Sequence, residues 1–129
     1  MCMRAGTLLG VVALGVLACG DRAPRADDVV GVYRADLPGI VTPGRGVTLD
    51  LGVGNTAQLA IDYQNGGGPV VESGTWSLSP RGEVRVVLAR DGFGPVTTDV
   101  TFRWAKATLT AIAFDTVRWG GRGFALARE

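Results

Sequence analysis

From residue 29 onward the chain is written in period two. Short runs rich in Val, Thr, Leu and aromatic residues alternate apolar with polar positions, and clusters of Gly, Pro, Asn and Asp separate them. Successive side chains of a strand point to opposite faces, so this pattern makes sheets with one buried face. The spacing predicts eight strands, over residues 29–35, 46–53, 56–63, 70–78, 83–90, 98–105, 107–115 and 122–128. Val47, Leu49, Leu51 and Val53 share one face of the second, and Leu59, Ile61 and Tyr63 share one face of the third. Val84, Val86 and Leu88 oppose Arg85, while Val100, Phe102 and Trp104 oppose Thr101 and Arg103. The run from Ala107 is less decided, because Leu109 and Ile112 fall on opposite faces. No window carries a stripe of 3.6 period, so the domain is all-β.

Eight strands with short connections predict an up-and-down antiparallel meander. Closing it into an eight-stranded β-barrel leaves no free edge; a two-sheet sandwich is the alternative. Connections are tight at 54–55, at 79–82 and around Lys106, and long at 36–45, 64–69, 91–97 and 116–121. Long and short alternate, which puts hairpins at one end and four loops around a mouth at the other. The first strand runs toward the mouth, so whatever precedes it attaches at the hairpin end.

What precedes it reads as an address. Arg4 supplies a positive n-region, and residues 7–18 form an apolar run of about twelve residues, short of the roughly 20 that a spanning helix needs. The run ends at Ala18-Cys19, as in a bacterial lipobox, where the cysteine thiol is acylated and becomes the new N-terminus. The expected organisation is a lipoprotein signal peptide over 1–18, acylated Cys19 with a flexible tether over 19–28, and the barrel over 29–129. The tether carries Pro24 and mixed charge and would span on the order of 15–20 Å. Gly20 after the cysteine favours outer-membrane sorting in a Gram-negative cell, with the mouth facing the periplasm.

Composition narrows the chemistry. The sequence has no histidine, and its two cysteines are Cys2 and Cys19. Cleavage removes Cys2 and acylation occupies Cys19, so no soft-metal ligand set remains, no Asp/Glu loop of the calcium-binding type is present, and no metal or other cofactor is expected. Ser73, Ser77 and Ser79 have no histidine to activate them, Lys106 falls in a predicted turn, and Asp50 and Asp62 alternate with core residues; the chain does not read as an enzyme. Cleavage also removes Arg4 from the 13 basic residues, leaving them equal to the 12 acidic ones, without a basic stripe. Nucleic acid is not an expected partner.

Two constellations stand out. A three-residue turn after Ser79 would pair Leu78 with Val84, Trp76 with Val86, Gly74 with Leu88, and Glu72 with Arg90. Glu72 and Arg90 would then face inward near the mouth, above Trp76. The pair either orients the polar head of a ligand whose apolar part lies deeper, or caps the core as a salt bridge. Phe93, between Gly92 and Gly94, and Trp119, before Gly120-Gly121, lie in long connections. They either meet a partner or fold back over the barrel end.

The chain resembles the N-terminal domain of the NlpE family, outer-membrane lipoproteins associated with copper resistance and envelope-stress signalling. The resemblance runs through Gly31-Val32-Tyr33, Leu37-Pro38-Gly39-Ile40, Val47-Thr48-Leu49-Asp50-Leu51, Thr56-Ala57-Gln58-Leu59, Tyr63, Glu72-Ser73-Gly74-Thr75-Trp76, Leu109-Thr110 and the terminal Gly123-Phe124-Ala125-Leu126-Ala127-Arg128. It implies a lipocalin-like barrel that senses or contacts envelope proteins. Where family members often carry Cys-x-x-Cys, this chain has Gly39 and Thr42, so a thiol-based copper role does not carry over. The expected function is a lipid-anchored, non-catalytic binding, interaction or envelope-sensing module. The alternative is a carrier of a small amphipathic ligand such as a lipid, held at Glu72, Trp76 and Arg90.

Overall fold

Alternation of this kind buries one face of each strand, and the strands satisfy their remaining backbone groups by closing on each other. The computed structural model describes residues 23–39, 43–90 and 97–129. The strands are β1 (Gly31–Pro38), β2 (Gly44–Leu51), β3 (Thr56–Asp62), β4 (Val70–Leu78), β5 (Glu83–Ala89), β6 (Thr97–Ala105), β7 (Thr108–Ala113) and β8 (Ala125–Arg128). They form one closed antiparallel barrel in sequence order, with the lipocalin-like architecture, and the sandwich alternative is set aside. The β4–β5 register is the expected one: Leu78 faces Val84, Trp76 faces Val86 and Gly74 faces Leu88.

The core is the inner face of this wall. Tyr33, Leu49, Leu51, Ile61, Val84 and Leu109 are among the residues with essentially no exposure. The ambiguous seventh strand resolves at a bulge. Phe102 pairs with Ala111 and Thr101 with Ala113, so Ile112 is the extra residue and turns outward.

Two short helices depart from the sequence reading. Val29 belongs to α1 (Ala26–Val29), inside the stretch read as tether and first strand, and β1 starts at Gly31. Asp28 accepts the Arg25 amide at 2.8 Å, Val29 is fully buried, and Pro24 lies against Gly82, so α1 covers the hairpin end. The buried Tyr33 hydroxyl ties this end together. It donates to the Val29 carbonyl (2.5 Å) and accepts from the Trp104 indole (3.0 Å) and from Arg128 (2.8 Å). The second departure is α2 (Thr116–Trp119), which forms within an expected loop and leaves β8 four residues long. Consequently the β8–β1 ladder is short, pairing Tyr33 with Arg128 and Arg34 with Ala127, and the Glu129 amide adds a bond to the Val32 carbonyl (2.9 Å). Among the described residues, β1 to β8 close the barrel and both end plugs are supplied by residues 23–129. The signal-peptide reading, Cys19 and Phe93 lie outside the described residues.

Candidate ligand site at the barrel mouth

The connection after β7 closes the mouth. Asp115 caps α2 by accepting the Val117 amide at 2.9 Å, and the helix ends at Gly120, whose φ of 98° disfavours a side chain. Four residues do not hold a helix in water by themselves. The packing of Trp119 does. Its side chain turns into the barrel, is only 5% exposed, and stacks on Phe124 with ring centres 4.4 Å apart. Phe124 meets Phe102 and Phe114 edge to face at 5.8 and 5.5 Å, continuing the aromatic contact down the wall.

Beneath Trp119 the interior is apolar. Val47, Leu49, Leu59, Val86, Leu88 and Val100 help to line a residual cavity of about 10 Å³, the lower limit for a single water molecule. With Trp119 in place, the space that these described residues line beneath it holds at most about one water molecule, and the indole fills its upper part. A wider hollow of about 400 Å³ lies on the outer wall over Gly46, between Arg34 and Asp36. It is open to solvent and lacks a buried polar side chain.

Charged groups surround the plug. Glu72, Thr98 and Arg45 are the buried polar side chains of the barrel among the described residues. Arg118, on α2, pairs with Glu72 (Nη2 to Oε2, 2.8 Å) and donates from Nη1 to the Thr98 hydroxyl. Thr98 in turn donates to the other Glu72 oxygen at 2.5 Å. Arg45 holds the backbone of the plug. Its guanidinium donates to the carbonyls of Pro38 (3.1 Å), Arg118 (2.8 Å) and Trp119 (3.2 Å). Both guanidiniums also lie against the Trp119 ring, at 5.8 Å for Arg45 and 5.3 Å for Arg118.

Against the sequence reading, the structure redistributes the site. Glu72 faces inward near the mouth, as strand parity requires. Its cation, however, is Arg118 and not Arg90. The β4–β5 and β5–β6 ladders end at Ala89, so parity stops one residue before Arg90, which is exposed. Trp76 is buried but sits at the other end. It lies four residues beyond Glu72 on a strand descending from the mouth, about 13 Å away at the usual rise. Its indole donates to the Gly52 carbonyl (3.0 Å) and its carbonyl accepts from Asn55 (2.8 Å), which fastens it under the β2–β3 hairpin. Trp119 folds back as the plug and offers no exposed aromatic surface.

Arg45, Thr98, Arg118 and Phe124 complete this cluster, beyond the residues that the sequence singles out. Arg45 carries a sequence signal: it continues the inward phase of Val47, Leu49 and Leu51 one step back. Thr98 likewise shares the phase of Val100 and Phe102. Arg118 has no such signal, because its place follows from how α2 docks. Comparison of the chain with protein-family models, with curated proteins and with solved structures finds no match.

Proposed function

We propose that the barrel binds a small amphipathic molecule. Its apolar part takes the space now filled by the Trp119 indole, and its polar end rests at the mouth among Glu72, Arg118 and Arg45. One observation carries this reading: the upper part of an apolar barrel is filled by a side chain from a four-residue helix that is not itself a wall strand. Wall residues are locked by ladders on both sides, whereas α2 is held by a few side-chain contacts. Displacing it opens apolar volume without breaking the barrel.

The proposal includes the setting. Residues 7–18 followed by Cys19 support a lipid anchor, and the NlpE-like run of residues supports a place in the cell envelope. The chain joins β1 from the hairpin end, so a tether from Cys19 leaves the mouth directed away from the membrane.

Native mass spectrometry of residues 20–129, purified from a bacterial periplasm without detergent, tests the carrier. A reproducible bound mass, increased in occupancy in Trp119→Ala, is the expected result. A clean apo mass for both proteins counts against it. A second reading, an interaction module presenting its mouth to an envelope protein, is favoured by Val117, which is 84% exposed on the outer side of α2. That reading predicts the clean mass, together with crosslinks from position 117.

A further inference from the structure

The chemistry of the ligand's polar end is written in how Arg45 is satisfied. Arg45 is 4% exposed, and burying a guanidinium is costly unless its charge and its N–H groups are met. Glu72 is already committed to Arg118 and Thr98. Among the described residues no carboxylate comes within ion-pairing distance of Arg45, whose acceptors there are three main-chain carbonyls. Two of these belong to the plug. The Arg118 and Trp119 oxygens lie on Nη1 and Nη2, the two-pronged end of the guanidinium, where a carboxylate makes paired bonds.

A displacement that carries away the indole and the α2 main chain, while the long Arg118 side chain keeps its bonds to Glu72 and Thr98, therefore strips Arg45 of two of its three acceptors. It leaves a cation at the top of an apolar barrel. A neutral amphiphile would fill the volume and offer a hydroxyl or carbonyl oxygen as one acceptor, but leave the charge unpaired. A cationic one would add repulsion. An anionic one replaces both carbonyls and supplies the missing charge. Resting on the carrier reading above, we infer that the ligand is an anionic amphiphile with a carboxylate or phosphate-type head. Arg45 is its anchor, and the carbonyls of Arg118 and Trp119 stand in for the head group while the mouth is plugged. Discrimination then comes from the cost of an unmet buried charge, which separates ligands more sharply than apolar fit does.

The test is calorimetric titration of residues 20–129 with four probes of one chain length: decanoate, decyl phosphate, decanol and decyltrimethylammonium. An anion is expected to bind at least about tenfold more tightly than decanol, the range of one charge-assisted contact, and the cation more weakly than decanol. Whether decanoate or decyl phosphate leads identifies the head group. Arg45→Gln is expected to lose the anion preference at least about tenfold while decanol binding stays. The wild-type ratio decides the matter if that variant does not fold. Equal binding of decanol and both anions overturns the inference and leaves the carrier reading standing, with Arg45 reduced to a clamp on the end of α2. Binding by none of the four overturns both.

Discussion

Gly74 shows how little freedom single positions of this wall have. It lies on the inner side of β4 opposite Leu88, and a Cβ there would come within 1.9 Å of the Val87 carbonyl oxygen and 2.9 Å of the Leu88 backbone. Since the obstacle is main chain, no rotamer change relieves it. Gly74→Ala is expected to cost at least the roughly 1–3 kcal/mol of core overpacking, read as a lower thermal midpoint, whereas Ala at exposed Gly67 should be close to neutral. Trp119 illustrates the opposite case, a side chain whose removal leaves space. Trp119→Ala is expected to destabilise by about 3–5 kcal/mol, as for a buried aromatic, and part of the loss should return when an alkyl ligand is added during the melt. A midpoint indifferent to ligand would mean that the vacated volume is not a site.

At the scale of elements, α2 and the wall differ in what holds them. The wall is continuous ladder, and α2 depends on its cap, its aromatic stack and two arginines. Asp115→Ala removes the cap and should cost roughly 1 kcal/mol. Its amide exchange should rise first over residues 116–124 while β2 to β6 stay protected; uniform faster exchange would show that the plug and wall open together. On the outer wall, Arg85 of β5 and Asp99 of β6 form a two-pronged pair (3.0 and 2.6 Å). The Arg85 hydrogen bonds hold the Asp99 carboxyl below its ordinary range, against the opposing effect of desolvation. A carboxyl lowered by folding stabilises the protein above its unfolded value, near pH 4, and that contribution fades as pH falls further. The pair is exposed, so the effect is small and screened by salt. Asp99→Asn should therefore flatten the acid limb of stability against pH slightly at low ionic strength and leave neutral stability nearly unchanged in 0.5 M salt.

For the whole molecule, the arrangement proposed is a barrel tethered at its hairpin end with its plugged mouth turned outward. Cys19→Ser should abolish palmitate incorporation in a bacterial host, and retained labelling would overturn the anchor. Much of the barrel could be read from residues alone. Strand parity placed Val47, Leu49, Leu59, Val86 and Leu88 inside, put Glu72 among them, and set the β4–β5 register, because alternation and turn length act locally and a one-residue slip would expose every apolar side chain. Local rules run too far where a ladder stops, as at Arg90, and pass over Arg45 because the alternation is plain only from Gly46 onward, two residues into β2. What the sequence by itself determined is thus the all-β class, the strand order and which faces are buried. Only the tertiary structure decided the site. Trp119, Phe124, Arg118 and Arg45 come together through α2, a segment with no periodicity, whose position depends on long-range contacts that exist only once the barrel has closed.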